Sequence, residues 1–153
     1  MANTYSKIYL HFVFAVKNRI SLVGTSWKTD LYKYITGIVA NHGHKVYSIN
    51  GMPDHVHILV SMSPKQSPSE LMHDVKRSSS TWINENKLVV GKFAWQEGFG
   101  VFSYSESQVD TIVKYINEQE KHHKIRTFQE EYIEFLKLFN IEYDERYTFK
   151  EIE

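Results

Sequence analysis

Two histidines in the stretch GMPDHVHILVSM, residues 51–62, are the first candidates for chemistry in this chain of 153 residues. His55 and His57 flank one valine in a segment that is typical of a strand, and alternate residues of a strand share a face. The imidazoles are therefore predicted to project side by side, with the valine facing the core. Such a pair can ligate one divalent cation, although an isolated His-x-His is more often an ordinary part of a strand. A further ligand must come from elsewhere in the chain.

A predicted helix in SYSESQVDTIVKYINEQEKHHK carries the other polar candidates. Ser105 and Gln108 have the spacing of a capping box at its start. At about 100° per residue, Tyr115 lies beside the apolar stripe, and Gln119 and His122 follow on the same side. The helix thus offers a phenol, an amide oxygen and an imidazole in a row. A tyrosine at the edge of the core, beside a solvated flank, explains this helix equally well when it is taken alone.

Hydrophobic patterning predicts the elements that must position these groups. Strands are predicted at 5–16, 44–51 and 55–62, with one or two short strands within 92–104. Helices are predicted at 26–42, 69–85, 106–125 and 128–139. Ser26 is a candidate cap of the first helix, and Asn50-Gly51 predicts a tight hairpin turn.

The order of these elements predicts an α+β fold of the ferredoxin-like type. The order β-α-β-β-α-β gives an antiparallel sheet with helices packed on it, followed by the helix that carries the tyrosine and by a further tail helix. The first and third strands are then central neighbours. His11 is therefore expected to lie beside the strand that carries the histidine pair.

Composition limits the class of protein. The length suits one domain with a single core, and 42% hydrophobic and 24% charged residues are typical of a globular protein. The absence of cysteine excludes disulfides, thiolate metal sites and cysteine nucleophiles. We find neither a signal peptide nor an apolar run near the roughly 20 residues that a membrane span needs. The sequence therefore predicts a cytoplasmic protein without a membrane segment.

Charge is unevenly distributed although the net charge is zero. Residues 1–126 hold 15 Lys and Arg against 10 Asp and Glu, whereas residues 127–153 hold 3 against 8. We therefore describe residues 1–153 as one domain with a mildly basic core, 1–126, and an acidic helical tail, 127–153. The basic core permits binding of DNA or RNA. The sequence assigns no role to the tail.

Candidate contacts to nucleic acid are basic and aromatic residues near the ends of predicted elements. The basic candidates for phosphate contacts are Lys17, Arg19, Lys76, Arg77, Lys121, Lys124 and Arg126. The aromatic candidates for stacking on unpaired bases are Trp82, Phe93 and Trp95. For any single residue of either set, a solvated charge or a core aromatic is the commoner role.

Several blocks together resemble the single-tyrosine HUH transposases of small bacterial insertion sequences, the IS200-like transposase family. PDHVHILVSM and VDTIVKYINEQEKHH resemble its two signature blocks, and YLHFVFAVKNR and WQEGFGVFSYSES resemble it in the same order. The resemblance implies an enzyme that cleaves and rejoins single-stranded DNA through a 5′-phosphotyrosine on Tyr115. It implies that His55, His57 and Gln119 bind Mg²⁺ or Mn²⁺. It further implies recognition of DNA hairpins by a homodimer whose tyrosine helix can act in trans.

Two other functions remain open at this point. One is a non-catalytic module that binds hairpin DNA or RNA, which would require the loss of Tyr115 or of a histidine of the pair, and the sequence retains all three. The other is a metal-dependent phosphodiester hydrolase in which a bound water attacks and the tyrosine is structural. The sequence identifies no dedicated base for Tyr115, although His122 is an additional candidate for the site.

Overall fold

The computed structural model describes residues 3–17, 22–144 and 148. Its strands form one antiparallel sheet in the order β2-β3-β1-β4. In chain order they are β1 (Tyr9–Ala15), β2 (Lys45–Met52), β3 (His55–Ser61) and β4 (Gly100–Tyr104). Helix α1 (Lys28–Asn41) connects β1 to β2, and α2 (Pro68–Glu85) connects β3 to β4. The predicted ferredoxin-like α+β order is confirmed, with β1 and β3 in the centre.

The sheet separates two cores. On one face, Phe12, Val56 and Ile58 pack with the apolar stripes of α1 and α2. On the other face lie Leu59 and His57, beneath the helices that follow β4. Both faces of the central strands are therefore covered, which explains why β1 and β3 are buried at nearly every position.

Three helices cover the second face of the sheet, and they are α3 (Val109–Asn117), α4 (Gln119–His122) and α5 (Phe128–Leu138). A 3₁₀ turn at Glu106–Gln108 precedes α3, and the predicted capping box of Ser105 and Gln108 is present there. The predicted tail helix forms as α5, which is capped by Thr127. None of the helices in the described part of the chain is long and apolar enough to cross a bilayer.

The tyrosine segment is not the continuous helix predicted for 106–125, because the chain turns at Glu118 between α3 and α4. Asn50 of β2 donates its side-chain amide to the carbonyl oxygens of Ile116 at 3.0 Å and of Asn117 at 3.3 Å. A side chain that donates hydrogen bonds to the last carbonyl oxygens of a helix occupies acceptors that the next helical turn would use. This contact therefore fixes the end of α3 on the edge strand.

The predicted hairpin turn at Asn50-Gly51 is wrong. Strand β2 continues to Met52, and the turn is formed by Pro53-Asp54. A Cβ on Gly51 would lie 2.1 Å from the backbone oxygen of His55. The glycine thus permits a close approach of β3 rather than a positive φ. The predicted cap of α1 at Ser26 is also wrong, because the N-cap residue is Trp27.

At Gly100, as at Gly51, the missing side chain permits a close contact, here between the sheet and α5. A Cβ on Gly100, at the start of β4, would lie 2.6 Å from Cε1 of Tyr132 in α5. Gly100→Ala should therefore lower the free energy of unfolding by about 1–3 kcal/mol, because a rigid ring must shift. The matched change Gly37→Ala meets nothing within 4 Å inside α1. It should raise that free energy by about 0.5–1 kcal/mol. Urea unfolding of both variants measures this, and equal effects would contradict the close contact.

Candidate metal and nucleophile site

The histidine pair lies on the sheet face that α3, α4 and α5 cover, and both side chains are fully buried. Nδ1 of His55 lies 2.7 Å from Oδ1 of Asp54. Nδ1 of His57 lies 2.7 Å from Nε2 of His11, which confirms that His11 neighbours the pair. Each ring is therefore oriented through Nδ1, and each Nε2 is turned toward the helices. Histidines that bind metals are usually oriented in this way.

The helix residues predicted from the sequence meet the histidine pair within the same chain. Oε1 of Gln119 lies 3.0 Å from Nε2 of His55, and Gln119 is fully buried. The half-buried ring of Tyr115 lies 6.1 Å, centroid to centroid, from the ring of His57. The structure therefore brings the phenol, the amide and both imidazoles together in cis.

A buried carboxylate that the sequence analysis missed completes the cluster. Oε1 of Glu131, in α5, lies 3.0 Å from Nε2 of His57 and 3.4 Å from Nε2 of His55. Its Oε2 accepts a hydrogen bond from the hydroxyl of Tyr115. Among the described residues, one group of three His, Asp or Glu side chains has ligand atoms that all lie within 4.8 Å of one another. It consists of His55, His57 and Glu131. The acidic tail therefore contributes a side chain to the site.

The pattern of α5 contains a signal that could have identified Glu131. Phe128, Tyr132 and Leu136 recur every four residues and are buried. Glu131 follows Phe128 by three residues, so it shares the buried face of the helix. Carboxylates are rarely fully buried unless they are paired. A glutamate on the apolar stripe therefore indicates a buried partner.

Burial and the carboxylate shift the two imidazoles in opposite directions. Burial lowers the pKa of His55, but Asp54 and Glu131 outweigh it and raise this pKa to about 8. Burial dominates at His57 and lowers its pKa to about 4. Burial favours a raised pKa for Glu131, but hydrogen bonds from His123 and the pair hold it well below its usual range. A cation bound here would therefore compete with a proton for Nε2 of His55.

The hydroxyl of Tyr115 lies between two opposite charges. It donates to Glu131 and accepts a hydrogen bond from Nη2 of Arg126 at 2.8 Å. Burial raises the pKa of Tyr115 above its usual value, Glu131 raises it further, and Arg126 opposes both. The ring of His122 stacks on the phenol ring, with 4.4 Å between centroids and 23° between planes. The additional candidate from the sequence thus contacts the ring face of the tyrosine.

The donor atoms fit a small divalent cation. Imidazole nitrogens combined with carboxylate and amide oxygens suit Mn²⁺ and are compatible with Mg²⁺. Ligand atoms about 2.1 Å from one such ion lie about 3 Å from their neighbours. The separations of His55 Nε2 from Gln119 Oε1 and of His57 Nε2 from Glu131 Oε1 are both 3.0 Å. The four side chains could therefore surround one ion.

The basic candidates for DNA contacts fall into different environments. Those exposed to solvent are Lys17, Arg77, Lys121 and Lys124. Nζ of Lys76 donates instead to the carbonyl oxygens of Gln96, at 3.0 Å, and Gly98, and burial lowers its pKa to about 8. Arg19 lies outside the described residues. The exposed set presents its charges to solvent, where a DNA backbone can contact them, whereas the half-buried Arg126 is directed at the hydroxyl of Tyr115.

Two of the three stacking candidates are core residues. Phe93 and Trp95 are 1% and 7% exposed and pack in the core beneath α2, so their prediction as base-stacking residues is wrong. Trp82 is half-buried, and its ring stacks on that of Tyr34 with centroids 5.2 Å apart. Aromatic composition alone does not distinguish these environments.

The fold is shared with solved transposases. A crystal structure of a Deinococcus radiodurans R1 protein assigned as a transposase aligns with a TM-score of 0.61. The two sequences are 21% identical, and the alignment covers 78% of this chain and 95% of the Deinococcus protein. A REP-associated tyrosine transposase bound to a REP hairpin aligns with a TM-score of 0.60 and 17% identity, over 80% of this chain and 73% of its own. This chain therefore shares the fold of both structures.

The sequence comparison identifies the family. The sequence model described as "Transposase IS200 like" matches residues 4–119, so this chain belongs to the IS200-like transposase family. The ISDra2 transposase TnpA of Deinococcus radiodurans is 26% identical over 114 residues, which cover 71% of this chain and 81% of that protein. The resemblance inferred from the motifs is confirmed. The matched segment ends at Gln119, so Glu131 lies beyond it.

Proposed function

We propose that this transposase cleaves and rejoins single-stranded DNA through a 5′-phosphotyrosine on Tyr115, assisted by a divalent metal. The observation that supports it is the convergence of His55, His57, Gln119 and Tyr115 on one buried sheet face of one chain. Family membership supports the class of reaction, and the contacts suggest the role of each side chain.

His55, His57, Gln119 and Glu131 are the residues that would hold Mg²⁺ or Mn²⁺. Once bound, the ion would neutralise negative charge that builds on the scissile phosphate. The two oxygens of Glu131 face different partners, since Oε1 lies against the imidazoles and Oε2 against Tyr115. This carboxylate therefore connects the metal ligands to the nucleophile and fixes the distance between them.

The reaction balances with groups that the chain supplies and with water. Oη of Tyr115 attacks the phosphorus, the Oη–P bond forms, and the bond from phosphorus to the 3′ oxygen breaks. Oε2 of Glu131 orients the hydroxyl before the attack, the phenol proton passes to water, and the departing 3′ oxygen takes a proton from water. In rejoining, a 3′ hydroxyl attacks and Tyr115 leaves. A phenol has a pKa of about 10, so phenolate leaves far more readily than an alkoxide, and no nucleotide cofactor is required.

Access to the site is restricted in this conformation. His55, His57, Gln119 and Glu131 are all 0% exposed, whereas Tyr115 and Arg126 are half-buried at the outer edge. A phosphate would therefore enter at the tyrosine edge, and its entry requires a shift of α5 or of the turn before it.

Hairpin-bearing single-stranded DNA is the proposed substrate. A relative of the same fold is described as bound to a REP hairpin. The exposed basic residues of the core support contact with the DNA backbone. The homodimer with a tyrosine helix acting in trans remains a prediction, which a mass measurement in solution would test.

One assay separates the three functions considered from the sequence. The protein is incubated with end-labelled single-stranded DNA from the regions that flank its gene, folded as hairpins, with Mn²⁺ or Mg²⁺. A covalent protein–DNA adduct in a denaturing gel is the expected result. Free cleaved ends without an adduct would indicate a hydrolase, and binding without cleavage would indicate a non-catalytic module.

A further inference from the structure

Arg126 points into the site instead of toward solvent. It lies in the turn between α4 and α5, and its Nη2 donates to the hydroxyl of Tyr115 at 2.8 Å. The same nitrogen lies 3.9 Å from Oε2 of Glu131, and Nη1 pairs with Glu134. The guanidinium is thus held by a carboxylate on each side. This orientation differs from that of Lys124, two residues earlier, which is exposed.

The contact of Arg126 is with the atom that reacts. Oη of Tyr115 donates to the Glu131 carboxylate and accepts the 2.8 Å hydrogen bond from Nη2 of Arg126, so a cationic donor is aimed at the oxygen. Oη must carry partial negative charge while it attacks, and again when it leaves during rejoining. A charged N–H donor aimed at such an atom stabilises the transition state more than the ground state. A guanidinium also has further N–H groups, which could reach an oxygen of the incoming phosphate.

We infer that Arg126 is a catalytic residue of the strand-transfer reaction, which stabilises charge on Oη of Tyr115 during both cleavage and rejoining. This role rests on the proposed function. Arg126 exchanges no proton, and the bonds formed and broken are those described above. The sequence analysis placed Arg126 among the residues that contact DNA backbone, and the contact with the phenol oxygen gives it a different task.

The test measures the rate of adduct formation at saturating hairpin DNA in a single turnover. Arg126→Ala should lower this rate by about 10²-fold or more, which is the loss expected for one charge-stabilising donor. Rejoining by an added strand with a 3′ hydroxyl should slow similarly. Arg126→Lys should retain part of the rate, and added guanidinium ion, below concentrations that unfold the protein, should partly rescue Arg126→Ala. The control Lys137→Ala removes one exposed charge from α5 and should react like the wild type.

Other results of the Arg126→Ala experiment would overturn either the inference or the proposed function. If Arg126→Ala weakens DNA binding but reacts at the wild-type rate when saturated, the residue only binds backbone and the inference is wrong. A lower melting temperature together with a rate loss that guanidinium does not rescue would indicate a structural role, and would also overturn it. If the wild type forms no adduct, the proposed function itself fails. An adduct in the wild type with an unchanged rate in Arg126→Ala overturns the inference alone.

Discussion

Tyr115→Phe is expected to abolish the covalent adduct while leaving the site otherwise assembled. The substitution keeps the ring, which stacks on His122 and meets the edge of Phe135 with centroids 5.6 Å apart. It removes only Oη, the proposed nucleophile. Adduct formation should fall by at least about 10³-fold, to the limit of detection, because phenylalanine has no oxygen that can bond to phosphorus. The free energy of unfolding should fall by about 1–2 kcal/mol, since the hydroxyl bonds two charged groups. Binding of hairpin DNA should persist.

Tyr104→Phe is the matched control for loss of a phenol oxygen near the site. Its hydroxyl is buried and has no hydrogen-bond partner among the described residues. Removing an unpaired buried hydroxyl should leave stability unchanged or increase it, and adduct formation should match the wild type. An adduct that persists in Tyr115→Phe would mean that another side chain attacks the DNA. Cleaved ends released without any adduct, in the wild type and in the variant alike, would favour the hydrolase.

The parts of the site that obey a local periodicity were predictable from the sequence. The two-residue period of a strand placed His55 and His57 on one face, and the order of elements placed His11 beside them. Helical spacing placed Gln119 on the side of Tyr115 even though the helix breaks at Glu118. At the break the backbone N–H of Glu118 still bonds to the carbonyl oxygen of Lys114 at 3.1 Å. The side chains of Tyr115 and Gln119 both reach the histidine pair.

The parts that depend on contacts between distant segments were not predictable in the same way. The break at Glu118 depends on Asn50, which lies in another element. The position of Glu131 depends on how α5 packs over the sheet, which involves the absence of a side chain at Gly100. The sequence shows a glutamate on an apolar stripe, but it does not show which buried cations or donors compensate it. The charge count of the tail does not distinguish the buried Glu131 from the other acidic residues of the tail.

Glu131→Gln is expected to weaken metal binding and to slow adduct formation together. The change keeps the shape of the side chain and an oxygen that can face the imidazoles, but it removes the negative charge. Affinity for Mn²⁺, measured by titration calorimetry, should fall by at least about tenfold, the scale of loss seen when groups supporting a metal site are altered. Adduct formation at saturating Mn²⁺ should still be slower, because Oε2 no longer provides an anionic acceptor for the hydroxyl of Tyr115.

Glu130→Gln is a closely matched control, because it makes the same chemical change one residue away on the exposed side of α5. Glu130 accepts from the backbone of Thr127 in a capping box, a position that glutamine also fills. Helix stability is therefore maintained, and both metal affinity and adduct rate should match the wild type. If Glu131→Gln retains full Mn²⁺ affinity, the carboxylate is not a ligand. If adduct formation becomes faster, Glu131 competes with the substrate phosphate for the site, and its proposed role as a metal ligand that also orients the hydroxyl of Tyr115 is wrong.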